Sequence, residues 1–192
     1  MTWGATVDTV WDELPRAPLK RVYDGVAEGD LPAGRADLLL DPQDAADLLA
    51  LNALLEEDVE AHRLADGSVV LPYSLRTRQL AAALVREHGV TFRAAPQQWG
   101  GEELDEVDVA YTGGSEPRDA LRALGFDERA VNAQTLATTL TADVDVLLVG
   151  GTLNVASLTA ENRAALDAFL GRGGGVVGLG AAARASATRR RC

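Results

Sequence analysis

The chain of 192 residues has one cysteine, two histidines and too few basic side chains to balance its acidic ones. The cysteine is the final residue, Cys192, so no intramolecular disulfide can form, and cysteine usage gives no indication of redox compartment. With 18 Lys and Arg against 29 Asp and Glu, the formal net charge is −11. Nonspecific nucleic-acid binding is therefore disfavoured, because phosphate contacts need a basic surface. Four of the basic residues, Arg184, Arg189, Arg190 and Arg191, crowd the last nine positions, so the remainder is more acidic still. Apolar runs are only a few residues long, which predicts no membrane span, and the N-terminus has no basic-then-apolar export pattern. The glycine pair Gly113-Gly114 opens neither G-x-G-x-x-G nor G-x-x-x-x-G-K-[ST]. No histidine follows His88, so the second half has no imidazole to act as general base.

What is present is organised around Asp143 to Gly180. Val144 to Val149 is a short apolar run ended by Gly150-Gly151, as expected of a strand buried on both faces. Thr159 is a candidate N-cap, and Ala165, Leu166, Phe169 and Leu170 fall on one helical face. Gly171 sits where that helix stops, and Val176-Val177 opens another strand. This is a βαβ unit, whose strands are expected to be parallel.

Upstream, residues 1–35 scatter Trp3 and Trp11 among prolines and glycines and predict an irregular segment. Residues 36–98 predict a small α/β subdomain. A strand over 36–40 is followed by a helix with Asp41 as N-cap and Pro42 at its first position. Leucines 48, 49, 51, 54 and 55 cover more than one face of that helix and predict extensive burial. Val59 to Leu64 and Ser68 to Tyr73 read as a hairpin on an Asp66-Gly67 turn. Ser74 caps a second helix, which runs through His88 with Leu80 and Leu84 inward and stops at Gly89. A strand over 90–94 follows. Residues 96–106 read as a linker with Trp99, Gly100-Gly101 and an acidic cluster. A βα region over 105–180 then alternates a strand at 107–111, a helix at 117–124, a strand at 131–136 and the βαβ unit. The pattern is that of an open, mostly parallel α/β sheet of flavodoxin-like type. Residues 181–192 have no apolar periodicity and read as a disordered basic tail. A doubly wound sheet needs further elements after Gly180, so the fold is expected to be incomplete at its C-terminus, through truncation or a frameshift. Its unpaired sheet edge would favour self-association.

Ligands of open α/β sheets sit at the carboxyl ends of the strands. Three glycine loops qualify: Thr112-Gly113-Gly114-Ser115, the Gly150 to Asn154 loop with Gly151 and Thr152, and Gly178 to Gly180. The first could cradle an anion with backbone N–H groups, although Glu116 places a carboxylate where an anion would lie. Tight strand-to-helix turns are the simpler account of all three. The third falls where a nucleophile elbow would stand, but Gly180 occupies the nucleophile position and has no side chain. His62 follows Glu56, Glu57, Asp58 and Glu60, which invites a metal reading; a solvated acidic turn is the simpler one. His88 in a last helical turn is explained by the helix dipole. The acidic run from Glu102 to Asp108 reads as a hydrated linker rather than a calcium site.

The stretches DVDVLLVGG, LTAENRAALDAFL and GRGGGVVGLG resemble the class I glutamine-amidotransferase-like superfamily. Trehalose-utilisation-like proteins carry a similar glycine-rich strand. Active amidotransferases have cysteine where this chain has Gly180, so the resemblance implies an amidotransferase-like fold over 105–180 without that chemistry. Over a longer span, GDLPAG, then DPQDAADLLALNALLEEDVEAHRLADGSVVLP, HGVTF, YTGG, LRALGFD, DVLLVGG and FLGRGGGVVGLG resemble the C-terminal part of large secreted actinobacterial zinc carboxypeptidases. That resemblance covers roughly residues 31–180. It implies a non-catalytic accessory region, an extracellular location and a covalently linked peptidase domain as partner. The family's zinc is held by two histidines and a glutamate, the first pair spaced H-x-x-E. His62 precedes Arg63-Leu64-Ala65 and His88 precedes Gly89-Val90-Thr91, so neither fits, and no cofactor is expected in this chain. The alternative is an autonomous small-molecule-binding domain, with Thr112, Ser115, Thr152, Asn154 and the glycine loops lining its pocket.

Overall fold

The computed structural model describes residues 28–151 and 153–179. The expected irregular start up to residue 27, the basic tail with Cys192, Thr152 and Gly180 lie outside the described residues. The chain divides into two compact units. The first holds the described residues up to Leu54 and Asp58–Glu103, and the second holds Leu55–Glu57 and the described residues from Leu104 on.

In the first unit, β1 (Leu38–Leu40) leads to α1 (Ala45–Glu56). The helix begins later than the Asp41-Pro42 signal predicts. Its first turn is closed by Asp44, whose Oδ1 accepts from the N–H of Ala46 at 2.8 Å and Asp47 at 3.1 Å. Asp47 returns a bond to the N–H of Asp44, a reciprocal cap in which a short Asp does the work usually given to Glu. Burial is confined to one stripe, Ala50, Leu51 and Leu54; Leu48 is exposed, so the expectation of broad burial is corrected. Asp58 ends the helix in the left-handed region (φ 54°), and Val59 N–H reaches Leu54 C=O at 3.0 Å, the pairing of a Schellman motif.

The hairpin is present as β2 (His62–Arg63) and β3 (Val69–Leu71), paired antiparallel. Its turn passes Gly67 at φ 90°. Asp66 Oδ1 accepts from both the Oγ and the N–H of Ser68, which holds the Asp66 carboxyl below the usual range. Then come α2 (Leu75–His88), β4 (Phe92–Ala94) and β5 (Glu102–Glu103). Ser74 Oγ accepts from Thr77 N–H at 2.9 Å, and Gly89 at φ 70° closes the far end, as the sequence predicts. The sheet order is β4-β1-β3-β2-β5, antiparallel throughout. Residues 96–106 are thus not simply a linker: Glu103 pairs with His62 and Glu102 with Arg63, so the acidic stretch closes a sheet edge. The register places Leu38, Leu40, Val69, Leu71 and Phe92 on one face, all buried, and these form the core of the unit.

The second unit is built of β6 (Val109–Thr112), α3 (Ser115–Ala123), β7 (Arg129–Ala130), α4 (Leu136–Thr139), β8 (Val146–Val149), α5 (Ala160–Gly171) and β9 (Gly175–Gly178). All four strands are parallel, in the order β7-β6-β8-β9. The α/β class and the parallel sheet are therefore observed. The strand expected at 131–136 is displaced to β7. After the buried Val131, Asn132 Oδ1 accepts from the N–H groups of Gln134 and Thr135, and this local turn takes the backbone out of the ladder. Thr159 caps α5 through Asn162 N–H, and α5 buries Asn162, Leu166 and Phe169. Leu170 is exposed, contrary to the expected face. Gly171 is the last helical residue, and the reversal is made by Gly173 at φ 100°.

The two sheet faces differ. On one, Ala110, Leu147 and Val149 are buried with residues of α4 and α5, including Leu136, Leu166 and Phe169. On the other, Val109 and Tyr111 pack with Leu121 of α3, while Val146 and Leu148 are only partly buried.

Candidate functional site

From β6 the chain goes to β7 on one side and then to β8 on the other, so the sheet has its switch point between β6 and β8. Loops leaving the carboxyl ends of these two strands diverge in such sheets and leave the usual ligand crevice. The ladder puts Thr112 beside Val149 and Val149 beside Gly178. The residues that open the three glycine loops therefore lie side by side at the same end of the sheet. Gly113, Gly114 and Ser115 are exposed, as is Asn154, whose carbonyl accepts from the N–H and Oγ of Ser157.

The first two loops close on each other. A Cβ on Gly113 would stand 3.0 Å from the carbonyl carbon of Gly150 and from Gly151 N. One on Gly151 would be 2.9 Å from Gly113 Cα, and one on Gly150 would be 2.7 Å from Pro117 Cγ. Gly113 also sits at φ 120°, which side chains rarely adopt. These glycines permit backbone-to-backbone approach across the mouth of the switch point. Beneath them, Thr112 is only 5% exposed, and its Oγ1 has no hydrogen-bond partner among the described residues. A buried hydroxyl left unpaired costs about 1–3 kcal/mol. The first turn of α3 has no side-chain cap from Gly114, and Glu116 lies in it.

No family model, curated protein or solved structure matches this chain.

Two further clusters brace the second unit. Arg129 bonds Asp108 at 2.9 Å and Asp143 at 2.7 Å, tying together the amino ends of the strands, away from the glycine loops. Hydrogen bonds from the Thr141 hydroxyl and then from Arg129 lower the Asp143 carboxyl to about 2. The same Asp143 bond raises the Arg129 guanidinium above its ordinary value. Asn162, buried in α5, accepts from Ala137 N–H at 2.8 Å and donates to Ala133 C=O at 2.7 Å. It pins the loop before α4, a role its sequence position three residues after a capping Thr did not announce.

In the first unit, Asp37 joins three segments. Its carboxylate accepts from Tyr73 N–H at 2.8 Å and from the Trp99 indole at 2.9 Å, while its carbonyl accepts from Ala95 N–H. The His62 ring lies 5.0 Å from that of Trp99, and His62 Nε2 meets Glu60 at 2.7 Å. A hollow of about 230 Å³ lies by the start of α2, but carboxylates of Asp58 and Glu60 and the capped Ser74 line it. Among the described residues no three His, Cys, Asp or Glu side chains converge to hold a metal ion. No described helix is long and apolar enough to cross a membrane.

Proposed function

We propose that this chain is a non-catalytic accessory α/β region of a secreted zinc carboxypeptidase-like protein, covalently linked to a peptidase domain that carries the zinc. The observation that supports the non-catalytic part of the reading is the glycine closure at the switch point, and the peptidase link rests on the sequence resemblance over residues 31–180. At the place where α/β enzymes set their reacting groups, the backbones of Gly113, Gly150 and Gly151 approach one another closely. The second unit is on this reading a flavodoxin-like or amidotransferase-like frame. Counted within the unit its strands run 2-1-3-4, which agrees with the flavodoxin-like order as far as it extends. The encoding locus tests the link: an upstream frame containing H-x-x-E and a later histidine is expected. A promoter and ribosome site directly before Met1 would overturn it. Purified chain dialysed after zinc loading should keep no stoichiometric zinc and release no C-terminal residue from peptides; either activity would sink the non-catalytic claim.

A second reading, an autonomous small-molecule-binding domain, is favoured by the orphaned Thr112 hydroxyl at the same edge. If a ligand supplies its partner, a panel of anions and small polar metabolites should contain one that raises the melting temperature, and Thr112→Val should abolish that shift. If none does, Thr112→Val should simply stabilise the protein, by about 1 kcal/mol.

A further inference from the structure

Strand β9 is hydrogen-bonded to β8 on one edge, and among the described residues its other edge has no strand partner. Two bonds set the parity of its backbone. Gly175 N–H donates to Asp145 C=O at 2.8 Å, and Leu179 N–H donates to Val149 C=O at 2.9 Å. In a parallel pair the residues bonded to the neighbour alternate. Gly175, Val177 and Leu179 therefore turn their N–H and C=O groups to β8, and Val176 and Gly178 present theirs outward.

The side chains on this edge are apolar and exposed on both faces: Val176 is 39% and Val177 49% accessible. Val177 shares a face with its ladder partner Leu148, the face whose middle is only partly buried. The sequence GVVG has no charge, proline or extra residue of the kind that protects natural sheet edges.

We infer that β9 is the seam of a homodimer, in which two copies pair antiparallel about a two-fold axis at Val177 and continue the sheet. A second copy fits because the edge is self-complementary in one register. With Val177 opposite Val177 of the other copy, Val176 stands opposite Gly178 and every outward N–H and C=O of β9 finds a partner. The glycine leaves room for the valine. The neighbouring register, centred on Val176, would draw on the N–H of Gly174, which already donates to Phe169 C=O at 2.9 Å. In the favoured register the Val177 pair is non-hydrogen-bonded, the kind in which opposed side chains come closest. The dimer is isologous and closed, so it does not propagate into fibres.

Sedimentation of the full chain over a concentration series tests this. A reversible monomer–dimer equilibrium is expected, strengthened by salt because each copy carries a net charge of −11. Val177→Lys, which opposes two ammonium groups, should weaken it about ten-fold or more with an unchanged circular dichroism spectrum. In a Cys192→Ser background, Val177→Cys should give a disulfide-linked dimer under mild oxidation. Val176→Cys should not, since its two copies would lie about 8 Å apart on offset positions. Three results would overturn the inference. One is a monomer at every concentration. Another is cross-linking at 176 in place of 177. The third is slow amide exchange at Val176 and Gly178 that does not depend on concentration, which would mean the chain's own residues cover the edge.

Discussion

Asn162→Asp isolates one polar contact in the second unit, because it changes a donor into an acceptor and leaves the shape intact. Asn162 is buried, with Oδ1 on Ala137 N–H and Nδ2 on Ala133 C=O. The aspartate keeps the first bond. Its second oxygen faces the Ala133 carbonyl at the 2.7 Å distance of the original bond, with no proton between them. An uncompensated buried charge costs about 3–5 kcal/mol, a large part of a typical domain's 5–15 kcal/mol. Protonation restores a donor, so the folded state raises the carboxyl's pKa above the unfolded value of about 3.9. The variant should therefore approach wild type below that pH and lose stability as pH rises through the folded pKa. Urea unfolding should be followed by far-UV circular dichroism and by amide exchange of peptides spanning Ala133 to Asn162. Tryptophan emission is unsuited, since Trp3, Trp11 and Trp99 all precede Leu104. A variant within about 0.5 kcal/mol of wild type at neutral pH, the range of ordinary surface changes, would refute the reasoning. So would a gap that widens on acidification.

Gly150→Ala drives a methyl into Pro117 and should cost about 1–3 kcal/mol; Pro117→Ala should recover part of it in a double-mutant cycle of denaturation midpoints. Asp143, whose folded carboxyl lies near 2, contributes stability above the ordinary carboxylate range that is lost as pH falls toward that value. Asp143→Asn should flatten the acid limb of the stability–pH curve, measured by thermal melts. Asp37→Ala removes the acceptor of the Trp99 indole and of Tyr73 N–H. In a Trp3→Phe/Trp11→Phe background its native emission should shift to the red, with loss of about 1–3 kcal/mol in the first unit.

Elements that close within a few residues were readable in the chain. Ser74 and Gly89 bound α2 because a cap hydroxyl and a left-handed glycine act on their own helix turn. Thr159 does the same for α5. Where two local signals competed, spacing alone did not say which would prevail. Asp41-Pro42 is a sound helix start, yet Asp44 and Asp47 cap each other and begin α1 later. The residues after Ala130 have strand composition, yet the Asn132 side chain captures the backbone. The acidic Glu102-Glu103 has no strand propensity and is a strand because β2 offers it an edge.

The glycine loops show the same division. Their positions at strand ends were evident from apolar runs stopping at Gly-Gly. That Gly113 meets Gly150 and Gly151 depends on β6 and β8 being neighbours, a pairing between strands more than thirty residues apart. The sequence by itself determined the strand and helix periods, the helix caps and the acidic balance, because these arise from spacing within a turn or a pleat. Tertiary structure alone decided the strand order, the closure of the switch point, the isolation of the Thr112 hydroxyl and the outward parity of β9. Each of these depends on which backbone lies alongside which, and that is set by packing across the sheet.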